Sequence, residues 1–167
     1  MKLNIPNCLT FLRILLIPVI ILLFLSGDDS NRTVVFILFV IASVTDYLDG
    51  FFARYMKQQT SFGEFLDPIA DKLLVITMLM LLVSENNNIF FLVPVLIIVS
   101  REFLVIAIRQ RLAELGENIK LSVLLISKIK TAIQLISLLM LLYKFPFFGL
   151  DTYQYGTYLL QIASLLT

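Results

Sequence analysis

Residues 46–72 read DYLDGFFARYMKQQTSFGEFLDPIADK, and this stretch places four Asp side chains inside or beside two apolar runs. Asp46 and Asp49 are three residues apart, while Asp67 and Asp71 are four apart. Each spacing puts its two carboxylates on one face of a helix, and the short connection between the pairs lets the helices return as an antiparallel hairpin. Since a charge at the centre of a membrane helix costs roughly 2.5–3.5 kcal/mol, we expect the four carboxylates to share one polar, functional cleft.

Small residues lie on the same helical faces as these acids. At about 100° per residue, Gly50 and Ala53 fall within about 40° of Asp46. Gly63 lies four residues before Asp67. The acid-bearing faces therefore carry little bulk, as they would if a substrate had to approach the helix backbone closely.

For a metal ion, the chain offers mainly oxygen ligands. It has no His and a single Cys, Cys8, which disfavours a zinc-type site and excludes catalysis by an imidazole base. Carboxylate oxygens suit hard divalent cations such as Mg²⁺ or Mn²⁺. Two such ions would balance the charge of the four carboxylates and could then hold a diphosphate, helped by Arg54 and Lys72.

The composition of the whole chain is typical of a membrane protein. Of 167 residues, 59% are hydrophobic and 15% are charged, against about 45–50% and 25% in an ordinary soluble domain. The net charge of +1 does not indicate the basic surface that a nucleic-acid-binding protein needs. The single Cys excludes an internal disulfide, and the length, with no evident repeat or linker, predicts one domain over residues 1–167.

Six apolar runs approach the roughly 20 residues that cross a bilayer. We predict an all-α polytopic membrane protein with six transmembrane helices. The predicted spans are 9–25, 33–52, 67–83, 89–109, 121–143 and 153–167. The first run holds Arg13 and ends without a small-residue cleavage site, so we interpret it as a retained span rather than a signal peptide. The last run is short for a full span, which suggests that the C-terminus is truncated relative to a longer parent.

The distribution of Lys and Arg predicts the orientation in the membrane. With the N-terminus inside, the external segments are 26–32, 85–88 and 144–152, and they hold only Arg32 and Lys144. The other eleven of the 13 basic residues lie on or near the cytoplasmic side. We therefore expect both termini to lie in the cytoplasm and the polar, metal-binding cleft to open there.

The acidic stretch resembles the signature of the CDP-alcohol phosphatidyltransferase family. DYLDGFFAR at 46–54, eight further residues and GEFLDPIAD at 63–71 reproduce every spacing of that signature. The similarity extends to the opening NIPNCLTFLR, to SREFLVIAIRQRLAELG at 100–116 and to SKIKT at 127–131, as in members that use sn-glycerol 3-phosphate. One departure is Ser127, where the family usually has Gly before the Lys.

That resemblance implies a metal-dependent transfer from a nucleotide-activated lipid. Asp46, Asp49, Asp67 and Asp71 would ligate two divalent cations. Asp71 would also take the proton from the attacking hydroxyl. The donor would be CDP-diacylglycerol, the acceptor sn-glycerol 3-phosphate, and the products CMP and phosphatidylglycerophosphate. The resemblance further implies a homodimer, and the short chain without a targeting peptide suggests a bacterial inner membrane.

The resemblance also indicates which residues border the CDP group of the donor. On the two acidic helices they are Gly50, Ala53, Arg54 and Gly63. The three small residues would shape the pocket, and Arg54 would contact the nucleotide or its phosphates. Lys72 is assigned to the same group because its charge lies next to Asp71 and could help to hold the diphosphate.

Three polar residues near the N-terminus have two open interpretations. Asn7, Thr10 and Arg13 recur at helical spacing after Pro6, which suits the first turn of a helix. In one interpretation Asn7 caps the interfacial segment and Arg13 extends to the lipid headgroups. In the other, the three side chains contact the cytidine diphosphate.

Recognition of glycerol 3-phosphate, a small dianion, requires cations. Arg101 and Arg109 are eight residues apart on roughly one side of the fourth span. Lys128 and Lys130 are about 200° apart around the fifth. We predict that Arg109 and Lys128 bind the acceptor phosphate, with Arg101 in a secondary role. For Glu102 the favoured interpretation is structural, an ion pair with a neighbouring helix.

Other functions fit these residues less well. Enzymes with the same signature use inositol phosphate, serine or phosphatidylglycerol as acceptor, and the signature does not separate them because it contacts the donor. A divalent-cation transporter would also use intramembrane acids, but it does not explain the adjacent small residues or Arg54. A purely structural membrane subunit has no use for four buried acids.

Overall fold

The computed structural model describes residues 5–56, 61–86, 88–114, 125–143 and 151–166. Within these ranges, the structure describes the backbone but not the side chains of residues 5–9, 46–56, 61–68, 71, 109, 113–114 and 125–128. The described residues form six α-helices and no strand, which confirms the all-α prediction.

The helices are α1 (Ile5–Leu25), α2 (Asp29–Met56), α3 (Ser61–Glu85), α4 (Ile89–Glu114), α5 (Leu125–Tyr143) and α6 (Thr152–Leu165). The described parts of the six predicted apolar runs are helical, except for Leu166, which lies just after the end of α6. Helices α2 and α3 extend beyond both ends of their runs, because helical hydrogen bonding continues through polar residues that hydropathy excludes.

The chain divides into two compact units, Met1–Leu81 and Leu82–Thr167. In the first unit α1 packs against α2, and Ile20, Val35 and Phe39 are fully buried. Burial of such side chains on both helices supplies the apolar core of this unit. The single domain over the whole chain stays a prediction.

A tight turn joins α1 to α2. The Ser26 N–H donates to the Leu22 carbonyl at 3.2 Å, and Gly27 has φ +76°, a left-handed conformation that favours glycine after a helix end. The guanidinium of Arg32 lies 5.1 Å from the centroid of the Phe24 ring. This cation–π contact ties the first turns of α2 to the last turn of α1.

In the second unit α6 packs against both α5 and α4. Ser137 Oγ on α5 donates a buried 2.7 Å hydrogen bond to the Gly156 carbonyl on α6. Gln161 Nε2 on α6 donates to the Phe90 carbonyl at the start of α4, at 3.3 Å. Asp151 caps α6 by accepting hydrogen bonds from the backbone of its first turn.

Close packing of α5 on α6 depends on Gly156. A Cβ atom there would lie 2.9 Å from Leu141 Cγ and 3.2 Å from the Leu141 backbone nitrogen. We expect Gly156→Val to destabilise the protein by about 1–3 kcal/mol and to lower the Tm of the detergent-solubilised protein by about 2–10 °C. Tyr155→Val places the same side chain at an exposed neighbouring position and should leave Tm near the wild-type value. Equal losses of Tm in both variants would contradict this account of the packing.

One stretch of the described residues, Ile89–Leu112 in α4, is long and apolar enough to cross a membrane. Two shorter apolar helical stretches, Thr10–Leu25 and Ile129–Tyr143, lie in α1 and α5. Phe90 and Leu104 on α4 are large, apolar and exposed, as expected of a surface that meets lipid or another apolar partner. Crossing of the membrane by all six helices stays a prediction.

Candidate functional site

Helices α2 and α3 carry the acidic stretch. Asp46 and Asp49 lie in the last turns of α2, and Asp67 and Asp71 lie in the first turns of α3. Each pair therefore has the helical spacing on which its prediction depends. The four carboxylates lie outside the described side chains, so their meeting in one cleft stays a prediction.

The predicted donor pocket on these helices is described only in part. Gly50, Ala53, Arg54 and Gly63 belong to helical segments whose side chains lie outside the description. Lys72 is half-buried on α3. Among the described side chains, which do not include the four aspartates, no three His, Cys, Asp or Glu residues come together.

Thr10 and Arg13 are buried polar residues on α1. Thr10 is 1% exposed and Arg13 is 2% exposed, and their three-residue spacing places them on one side of the helix. This burial argues against the interpretation in which Arg13 extends to the lipid headgroups, because its guanidinium would then lie at the protein surface. Contact with CDP stays a prediction for both residues and for Asn7, whose side chain lies outside the description.

Glu102 on α4 forms a buried ion pair with α5. Lys130 Nζ lies 2.7 Å from Glu102 Oε1, and the two side chains are 2% and 6% exposed. Arg101 Nη1 lies 3.3 Å from the same oxygen, with 33% of its side chain exposed. One carboxylate is thus shared by two cations, and the interpretation of Glu102 as an interhelical partner is confirmed.

Lys130 is the residue whose importance the sequence reasoning missed. Its position about 200° from Lys128 around the helix excluded it from the predicted acceptor site. The sequence nevertheless indicated an ion pair. Burying a lysine in an apolar run costs free energy unless an opposite charge pairs with it, and Glu102 lies in the preceding apolar run. Lys130, Gln134 and Ser137 recur at i, i+4 and i+7, and all three are buried. One buried face of α5 is therefore polar.

The predicted acceptor residues lie on the same two helices as this ion pair. Arg109 is in α4, seven residues after Glu102, and Lys128 is in α5, two residues before Lys130. The side chains of Arg109 and Lys128 lie outside the description, so their contact with an acceptor stays a prediction. Arg101 has a side chain that is 33% exposed and pairs with Glu102, and its secondary role at the acceptor stays a prediction.

The chain is similar to a known family over nearly its full length. Residues 3–167 match the family model of CDP-alcohol phosphatidyltransferases. A protein of Wigglesworthia glossinidia brevipalpis is 42% identical over 144 residues, covering 86% of this chain and 79% of the relative. A Haemophilus influenzae protein is 41% identical over 145 residues, covering 87% and 78%. An Escherichia coli K12 protein is 38% identical over 144 residues, covering 86% and 79%. All three relatives are named CDP-diacylglycerol–glycerol-3-phosphate 3-phosphatidyltransferase.

Proposed function

This chain belongs to the CDP-alcohol phosphatidyltransferase family, and we propose that it transfers the phosphatidyl group of CDP-diacylglycerol to sn-glycerol 3-phosphate. The products are phosphatidylglycerophosphate and CMP, which makes the protein an enzyme of anionic phospholipid synthesis. The observation that carries the proposal is the complete acidic signature at 46–71 in a chain 38–42% identical to relatives named for this transfer.

The reaction replaces a phosphoanhydride bond by a phosphate ester. A hydroxyl oxygen of glycerol 3-phosphate attacks the phosphorus that carries the diacylglycerol, and the bond from that phosphorus to the bridging oxygen of CMP breaks. CMP leaves with the electron pair of the broken bond. The proton of the attacking hydroxyl passes to a carboxylate, and we assign this role to Asp71.

The ligand atoms that the four aspartates offer are suited to divalent cations. The chain has no His, so its acidic helices offer carboxylate oxygens, which Mg²⁺ and Mn²⁺ prefer. Two such ions would be held between the helices by Asp46 and Asp49, on one face of α2, and by Asp67 and Asp71, on one face of α3. Bound cations would supply Lewis-acid stabilisation of the negative charge on the diphosphate.

The other donor contacts come from helices of the first unit. Small residues at 50, 53 and 63 leave room for the nucleotide beside the acids. The polar and cationic contacts we assign are Asn7, Thr10, Arg13, Arg54 and Lys72. The burial of Thr10 and Arg13 within protein argues against a place at the lipid headgroups, and the resemblance of the N-terminal segment to the family supports their contact with the donor.

The acceptor is a small dianion, and we assign its phosphate to Arg109 and Lys128. Arg101, whose side chain is partly exposed, has a secondary role. Charge-assisted hydrogen bonds from guanidinium and ammonium groups are the strongest contacts that side chains offer a phosphate.

We place the enzyme in a bacterial inner membrane as a homodimer of single-domain chains over 1–167. Six spans, with both termini and the polar cleft on the cytoplasmic side, are supported by the Lys and Arg distribution. This orientation agrees with the chemistry, because glycerol 3-phosphate and CMP are charged, water-soluble molecules of the cytoplasm.

An acceptor panel tests the proposed function. Purified protein, CDP-diacylglycerol and Mg²⁺ or Mn²⁺ are incubated with glycerol 3-phosphate, inositol phosphate, serine or phosphatidylglycerol in turn, and CMP release is measured. We expect release to require the divalent cation and to be fastest with glycerol 3-phosphate. Faster release with another acceptor would assign the protein to another branch of the family. No release with any acceptor would contradict phosphatidyl transfer and favour cation transport.

A further inference from the structure

We propose that three exposed tyrosines, where α5 ends and α6 begins, form a contact surface for the headgroup region of the bilayer. They are Tyr143, Tyr155 and Tyr158. Their partner is the boundary between phospholipid headgroups and acyl chains, which accepts an aromatic ring on its apolar side and a hydroxyl on its wet side. This lipid contact lies outside the reaction, so it does not depend on which acceptor the protein uses.

Tyrosine is concentrated in this part of the sequence. Four of the six tyrosines of the chain lie between residues 143 and 158, and the chain has no Trp. Tyr and Trp are enriched at membrane interfaces, because one end of each side chain is apolar and the other is polar. Most residues of this kind in the chain therefore lie around one predicted external segment, 144–152.

The exposed side chains of α6 change in character along the helix. Its large exposed apolar and aromatic residues are Tyr155, Tyr158, Ile162 and Leu165. Their spacing places all four within about 80° of one another around the helix. The two tyrosines lie near the start of α6, and the two aliphatic residues lie toward its end. The stripe therefore passes from amphipathic to purely aliphatic, as a bilayer does from the headgroups to the acyl chains.

The hydroxyl of Tyr158 is directed toward the start of α6. Gln154, four residues earlier, donates a hydrogen bond from Nε2 to Tyr158 Oη at 3.4 Å. This direction agrees with the general tilt of helical side chains toward the N-terminus. Asp151, which caps the helix, lies at the same end. The polar end of the tyrosine thus lies on the side that an interfacial tyrosine turns to water.

The exposed face of α5 has the same order. Ile129, Ile136 and Tyr143 are exposed, and their regular spacing places them within about 40° on one face. Tyr143 is the last residue of the helix. The hydrogen bond from Ser137 to Gly156 holds this half of α5 beside the first turns of α6. Two neighbouring helices therefore present tyrosine at a common end and isoleucine farther from it.

The distribution of polar residues argues that lipid covers these exposed faces. On α5 the buried residues include the polar Lys130, Gln134 and Ser137, whereas Ile129 and Ile136 are exposed. A helix that meets water would have the opposite arrangement. A second copy of the chain would also cover apolar residues, but such a contact gives no reason for tyrosine to lie at the same end of two helices. A bilayer imposes one order of depth on every helix that crosses it.

Single Trp variants measure the depth of these positions, because the chain has no Trp of its own. Tyr155→Trp and its matched control Leu165→Trp are reconstituted in phosphatidylcholine vesicles with lipids brominated either near the headgroup or near the chain end. The two positions are about 15 Å apart along α6, which is about half of the hydrocarbon thickness. Shallow bromines should quench the fluorescence of Tyr155→Trp at least about twofold more than deep bromines do, and the reverse should hold for Leu165→Trp.

A second pair on α5 keeps the proposal falsifiable if a variant of α6 does not fold. Tyr143→Trp and Ile136→Trp lie about 10 Å apart along that helix. Shallow bromines should quench Tyr143→Trp more strongly, and deep bromines should quench Ile136→Trp more strongly.

The same measurements can overturn the proposal. Equal quenching by shallow and deep bromines at the tyrosine positions would do so, as would stronger deep quenching of Tyr155→Trp than of Leu165→Trp. Weak quenching at all four positions would also overturn it and would assign the exposed faces to contact between protein chains. None of these measurements requires turnover, so a lack of CMP release with glycerol 3-phosphate would contradict the proposed function alone.

Discussion

Asp67→Asn and Asp49→Asn are each expected to lower turnover more than about a hundredfold while the protein still inserts and folds. An amide keeps the shape of a carboxylate but lacks the charge that balances a divalent cation. Changes to residues that only support a metal ligand already cost about 10–100-fold, so loss of a ligand itself should cost more. CMP release at saturating substrate measures the turnover, and Tm reports the folding.

Asp29→Asn is the matched control for these variants. Asp29 is exposed in the first turn of α2, the helix that also carries Asp49, and its amide variant should release CMP at the wild-type rate. Partial recovery of Asp67→Asn at raised Mn²⁺ would place the defect in metal binding. Substantial turnover of Asp67→Asn or Asp49→Asn at ordinary Mg²⁺ would show that the metal assignment is wrong.

Arg109→Ala and Lys128→Ala are each expected to raise the KM for glycerol 3-phosphate about ten- to hundredfold. A hydrogen bond to a charged group contributes roughly 1.5–3 kcal/mol, and 1.4 kcal/mol corresponds to a factor of about ten. The KM for CDP-diacylglycerol should change little, because the donor contacts are assigned to other residues. Initial rates of CMP release at varied acceptor concentration provide both values.

Free glycerol distinguishes phosphate binding from a general defect. It has the attacking hydroxyl without the phosphate, so it should be a poor acceptor for the wild-type enzyme and no worse for Arg109→Ala or Lys128→Ala. Arg111→Ala is the matched control for Arg109→Ala, since Arg111 is an exposed cation near the end of α4, the helix that also carries Arg109. If the variants of Arg109 and Lys128 lose activity equally with both alcohols, these cations support the fold and do not bind the acceptor.

The all-α class and the order of the six helices were predictable because each helix has its own apolar run. The helix bounds were less predictable. Helix α3 begins at Ser61, before the apolar run that starts at residue 67, because a helix continues through polar residues wherever its backbone hydrogen bonds can form. The side chains of the four aspartates lie outside the described residues, so the cleft that they would form rests on the signature and its spacing.

The sequence by itself determines the spacing of residues along the chain, and this spacing was sufficient to identify the acidic signature. Residues three or four apart share a helical face whatever surrounds them, and the absence of His limits the ligands to oxygen. The tertiary structure alone decided that Arg13 is enclosed by protein and that the partner of Glu102 is Lys130. Partner choice depends on how one helix is rotated against another, and the packing of many distant side chains sets that rotation.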